Sequence, residues 1–109
     1  MKHALLRPKA KQDLSDAALY YAEQGGQRLG QSMLTAAVDA LQPLQRMPGL
    51  GSPTLGERCG VPGLRAWGVR GWPLRWFYFE RADHLDVVRL LGDRQDTATI
   101  LADDAPKPA

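Results

Sequence analysis

The sequence predicts an α+β fold: an N-terminal strand, an antiparallel two-helix hairpin, and a three-stranded antiparallel meander packed against the helices. Three observations predict it. Apolar residues recur at three- and four-residue steps from Ala10 to Leu44, with Gly25 and Gly26 breaking the run in the middle. From Leu64 to Leu91 the pattern changes to short aromatic and aliphatic runs cut by Gly71–Pro73 and Ala82–His84. A short apolar segment, Ala4 to Arg7, stands before Pro8 and is too brief for a helix.

Pro8 disfavours a helical Arg7 and suits the first helical position itself, so the first strand passes directly into a helix. Ala10, Leu14, Ala17, Ala18 and Tyr21 mark its apolar face, while Lys9, Lys11, Asp13, Asp16 and Glu23 fall elsewhere. Gly25 and Gly26 end this helix near Glu23, because glycine reaches the left-handed cap conformation at least steric cost. Leu29, Met33, Ala36, Ala37, Ala40, Leu41 and Leu44 form the stripe of the second helix, whose small residues allow close approach to the first. Pro43 removes a backbone hydrogen bond and clashes one turn back, at ~3 kcal/mol, so that helix ends or kinks near Gln42.

Pro48 to Gly63 is rich in glycine and proline and reads as irregular connection. No Gly-Lys-Ser/Thr follows its glycines, which removes a phosphate-binding loop. Leu64 to Val69 then reads as a strand with Arg65, Trp67 and Val69 on one face and Leu64 and Ala66 on the other. Leu74 to Glu80 carries Trp76, Phe77, Tyr78 and Phe79 in succession, so both of its faces need cover and it belongs in the sheet interior. Leu85 to Leu91 is the last strand, on which simple alternation sets Arg89 beside Leu85, Val87 and Leu91. Thr97 to Leu101 is expected to add a short strand or helical turn. Residues 1–102 form a single domain, and 103–109, charged and proline-rich, are expected to be a disordered tail.

A chain of 109 residues with 44% hydrophobic residues supports one modest core. No apolar run approaches the ~20 residues of a membrane helix, and no signal-peptide pattern opens the chain, so a soluble cytoplasmic protein is expected. The single cysteine, Cys59, excludes an internal disulfide and a cysteine-only metal site. A formal net charge of +2 is too small for generic polyanion binding, but the basic residues are segregated. Every lysine lies in the first eleven residues or the tail, whereas Arg58, Arg65, Arg70, Arg75, Arg81, Arg89 and Arg94 are spread over the C-terminal half. Arginine there can fork onto carboxylate or phosphate and stack on aromatic rings, or simply serve as edge and surface charge.

Hydrolysis would need a base and an acid, and the supply is thin. His3 precedes the first strand and His84 falls in a turn, neither with an evident partner. Tyr78 reads as a core or groove aromatic with its hydroxyl at the edge. Asp93 and Asp96 flank Arg94 at a spacing suited to a local ion pair rather than metal ligation, and no metal or cofactor is expected. Arginines without a base bind and orient but do not readily cleave. The apolar sheet surface beside them suits docking of an amphipathic partner segment.

Ala4–Ala10 followed by Asp13 and Leu14, the Pro48–Gly51 turn, Gly63–Trp72, Phe77 and Tyr78, and Val87–Asp96 together resemble the RelE/ParE toxin superfamily, most closely its ParE branch. The resemblance covers nearly the whole chain except the tail, and it implies the same fold. It also implies the toxin of a bacterial type II toxin–antitoxin pair that forms a hetero-oligomer with a ParD-like antitoxin. ParE members are understood to poison DNA gyrase, whereas RelE members cleave messenger RNA in the ribosome. For the ribonuclease alternative, Arg65, Arg75 and Arg89 are the residues available, but the sheet has no lysine and nothing after Leu91 supplies tyrosine or histidine. Gly92 stands where many ParE relatives carry histidine, which raises a third reading, an inactive antitoxin-binding module. A gyrase-binding inhibitor is therefore expected rather than an enzyme. Leu14, Tyr21, Arg65, Trp67, Arg75, Trp76 and Arg89 are the expected antitoxin contacts, on the hairpin and one sheet face. Arg70, Arg89 and Arg94 are the residues expected to bear on activity.

Overall fold

The computed structural model describes residues 1–104, with side chains described through Ala102. Strand β1 (His3–Leu6) leads through Arg7 into α1 (Pro8–Gly25), with Pro8 in the first turn as expected. Gly26, at φ 94°, separates α1 from α2 (Gln27–Asp39), and few side chains tolerate that backbone conformation. The second helix stops at Asp39, before Pro43 can disrupt it. Pro43 instead opens a separate short helix, α3 (Gln42–Arg46), where its missing N–H costs nothing. The connection expected to be irregular contains a 3-10 turn at Pro48–Leu50 and a short helix, α4 (Thr54–Arg58).

The meander follows as β2 (Arg65–Gly68), β3 (Leu74–Glu80) and β4 (His84–Gly92), each pair antiparallel. β1 joins the same sheet parallel to β4, giving the order β1-β4-β3-β2. β3 is thus interior, and its two faces are both covered. Trp76 and Tyr78 lie under the helical hairpin with Met33, Ala37 and Leu44, while Phe77 and Phe79 pack on the opposite face with Val61, Leu64 and Leu101. The last of these comes from α5 (Thr97–Asp104), so the helical alternative for 97–101 is the one observed. The tail expected from residue 103 begins inside the last turn of α5, and residues 105–109 lie outside the described residues.

Simple alternation fails on β4. Tyr78 pairs with Val87 but Phe77 pairs with Arg89, so Val88 is the extra residue of a bulge. Leu85 and Val87 face the hairpin, whereas Leu91 faces the other way, correcting the expectation that these three share one face with Arg89.

Candidate functional site

The arginines of the sheet do not converge. Arg89 reaches up to α1, donating from Nε and Nη2 to the Asp13 carboxylate at 2.7 and 2.9 Å, and Asp13 also accepts the Leu90 backbone N–H at 3.0 Å. Both side chains of the pair are about 85% buried, at 15% and 13% exposure. Arg65 donates from Nη1 to the carbonyls of Gly49 and Gly51, at 3.2 and 2.7 Å, and so holds the Pro48–Gly51 turn against β2. Arg75 is exposed on the other face of the sheet from its neighbour Trp76 and lies 3.6 Å from Asp93. A catalytic grouping of Arg65, Arg75 and Arg89 is therefore absent among the described residues. The sequence also misplaced Asp13 outside the apolar stripe. It lies three residues after Ala10 and four before Ala17, and that spacing was the available signal of a paired charge on the buried face.

A second ion cluster ties β1 to β4. Arg7 donates bidentately to Asp86 at 2.8 and 2.7 Å, and Arg81 adds a bond at 3.0 Å while stacking over the Phe79 ring at 4.5 Å. Burial pushes the Asp86 carboxyl up, but the hydrogen bonds and charges of Arg7 and Arg81 outweigh it and hold it below its ordinary value.

Tyr78 is fully buried, and its hydroxyl is committed to the fold. It donates to the Pro48 carbonyl at 2.6 Å and accepts the Gly51 N–H at 2.9 Å. Burial raises its pKa, against the lowering effect of the Gly51 bond and the Arg65 charge. Gly51 is a glycine because a Cβ there would sit 2.5 Å from that hydroxyl. The edge hydroxyl read from the sequence is thus an interior turn clamp. Among the described residues neither histidine meets an acid–base partner set: His3 and His84 are in register between β1 and β4, and His84 is paired with the exposed Asp83 at 2.7 Å. His84 begins β4 rather than lying in the turn before it. The expected ion pair around Arg94 is replaced by two separate roles. Asp93 faces Arg75, and Asp96 accepts from the Thr99 N–H and hydroxyl at the start of α5, bonds that lower its pKa. No group of three potential metal ligands occurs among the described residues.

Of the surface expected to meet a partner, Trp76 is inaccessible, with its Nε1 donating to the Ala37 carbonyl beneath α2. Leu14 is partly buried against the same core. Trp67 is half-buried at the sheet edge and donates to the Ala40 carbonyl. Tyr21 is half-buried against Trp72 in an edge-to-face pair, centroids 4.8 Å apart. The exposed apolar side chains lie elsewhere, and the sequence reading passed over them. Met1, Pro43, Met47 and Leu50 line an open concavity with Asp39 and Arg46. Met47 and Leu50 are 60% and 40% exposed, and Val38 is exposed beside Asp39. This concavity adjoins Arg65 and Trp67, which bond to Gly49, Gly51 and Ala40 at its border. Leu19 and Tyr20, also more than half exposed, stand on α1 toward its C-terminal end. No helix is long and apolar enough to cross a membrane among the described residues.

A search of curated proteins finds no match. Among solved structures, a chain of the chromosomal ParDE toxin–antitoxin system from P. aeruginosa superposes with a TM-score of 0.73 at 22% identity, over 84% of this chain and 96% of that one. The strand, helical hairpin and antiparallel sheet are those of the RelE/ParE fold. The family described as the ParE toxin of the type II toxin–antitoxin system parDE matches residues 4–97, which is most of the chain, and the chain belongs to that family of toxins.

Proposed function

We propose that this toxin acts by binding DNA gyrase, without catalysing a reaction, and that a ParD-like antitoxin neutralises it by docking beside β2. The observation that carries the non-catalytic reading is the dispersal of the three arginines: Arg89 is clamped to α1, Arg65 to the Pro48–Gly51 turn, and Arg75 is exposed beside Asp93. Among the described residues no acid or base stands where the three could act together, and electrostatic stabilisation alone does not move a proton.

For the antitoxin, the Met1–Pro43–Met47–Leu50 concavity gathers accessible apolar side chains, and Arg65, Trp67 and Arg46 border it. Methionine adapts its shape to an incoming apolar side chain, and an amphipathic antitoxin segment would bury its apolar residues there while its acidic ones meet arginine. The two claims are tested with purified protein. Inhibition of gyrase supercoiling, with no cleavage of ribosome-bound message, is the expected result. Unchanged supercoiling together with message cleavage would replace this reading with the ribonuclease one.

A further inference from the structure

The aromatic side chains fall into two groups by what their polar atoms do. Trp67, Trp76 and Tyr78 each bond a backbone carbonyl and so hold the sheet to the segments around it. Tyr20, Tyr21 and Trp72 use none of their polar atoms in this way. They form a chain of edge-to-face contacts instead, Tyr20 to Tyr21 at 5.2 Å and Tyr21 to Trp72 at 4.8 Å. This chain joins α1 to the turn between β2 and β3. The same turn, closed by the Trp72 N–H to the Val69 carbonyl, presents Arg70, which is exposed and has no ion-pair partner among the described residues. Arg94 is equally exposed at the same end of the sheet, because the Asp93 N–H donates to the Pro73 carbonyl and brings the two turns together.

Half-exposed Tyr and Trp with free polar tips, beside unpaired arginine, is the composition of the anchor region of a protein interface. The patch is also remote from the Met47–Leu50 concavity. α2 begins near the patch and ends near the concavity, and its thirteen residues span ~20 Å at 1.5 Å per residue. Of the large exposed hydrophobic side chains, Tyr20 stands in the patch, whereas Met1, Met47 and Leu50 line the concavity.

We propose that the Tyr20–Trp72–Arg70 patch is the surface that docks the toxin's target, a protein offering an acidic side chain to Arg70 beside an apolar pocket for Tyr20. This rests on the reading that the toxin works by binding a protein. It assigns the two partners to opposite ends of the hairpin. A surface built for target recognition alone is dispensable for antitoxin binding, and that separation is measurable.

The experiment compares wild type with Tyr20→Ala and Arg70→Glu. Each is expressed without antitoxin to score growth arrest, assayed on purified gyrase, and titrated with the antitoxin encoded beside it. Both variants are expected to lose growth arrest and to need at least about tenfold more protein to inhibit gyrase, while their antitoxin Kd stays within about twofold of wild type. Unaltered antitoxin affinity also reports that the variants are folded. Full growth arrest by both variants would overturn the proposal, and so would a tenfold loss of antitoxin affinity, which would make the patch part of the antitoxin interface. Wild type that arrests growth without inhibiting gyrase would overturn the gyrase reading alone, leaving growth arrest to judge the patch. Wild type that arrests nothing would overturn both.

Discussion

Asp13 accepts both arms of the Arg89 guanidinium and the N–H of Leu90, so one carboxylate on α1 holds three donors of β4. The bulge at Val88 immediately precedes Arg89 and ends the alternation it would otherwise share with Leu85 and Val87. Removing the carboxylate takes these bonds from a largely buried guanidinium and leaves the Leu90 N–H without this acceptor. Asp13→Ala is expected to lower unfolding free energy by ~2–4 kcal/mol. In a double-mutant cycle with Arg89→Ala, measured by urea denaturation, the coupling should exceed ~1 kcal/mol. A near-zero coupling would mean that the pair merely coexists.

Asp86 gives a pH dependence whose sign follows from its lowered pKa. Its folded form holds the proton less tightly than the unfolded chain does, so its stabilisation is complete above the unfolded carboxylate value of ~3.9 and is lost as pH falls through the lower folded value. Asp86→Asn should cost ~1–3 kcal/mol at pH 7, a figure kept modest by the partial exposure of Arg7 and Arg81. The gap between variant and wild type should narrow in urea titrations carried from pH 5 toward pH 2.5. A gap constant with pH would remove the ion cluster as its cause.

Tyr78→Phe deletes one hydroxyl and leaves the Pro48 carbonyl and the Gly51 N–H without their partner. A loss of ~1–3 kcal/mol is expected. Faster amide exchange should appear first in residues 48–52, because the turn then keeps only Arg65 and backbone bonds such as the Ser52–Ala66 bridge. If exchange rises evenly over the whole sheet instead, the hydroxyl supports the core at large rather than this turn.

At the concavity, Met47→Asp or Leu50→Asp places a charge where an apolar antitoxin side chain is proposed to sit. Either change should weaken the complex by at least ~1.4 kcal/mol, a tenfold rise in Kd by calorimetry, with little effect on folding because both side chains are exposed. Equal affinity would move the antitoxin elsewhere.

Most of the backbone was legible because its determinants are local. Pro8 marks the start of α1, Gly26 the hairpin turn, and the aromatic run of β3 an interior strand with two covered faces. The parts that escaped depend on contacts distant in sequence. Val88 gives no sign of being a bulge, yet it changes the direction of Arg89 and Leu91. Asp13 reads as a surface charge until β4 is placed beneath it. Arg65, Arg75 and Arg89 look alike in the sequence, and only the register distributes them between a turn, an exposed face and a helix. Pro43 conflicts with a continuous second helix, and the break between Asp39 and Gln42 removes the conflict. The family pattern identified the toxin, but the residues quoted for its partner surface included Trp76, which the fold keeps for itself.

The parallel pairing of β1 with β4 has a consequence in time. Residues 3–6 leave the ribosome well before their sheet neighbours, 84–87, so the Arg7–Asp86 bond must wait for some eighty intervening residues. Until then α1 has no β4 on which to rest, and Asp13 has no Arg89. A nascent or prematurely terminated chain lacks the frame on which both proposed docking surfaces are mounted. The toxin's frame is therefore completed only after β4 has been made, an interval in which antitoxin already present can be waiting.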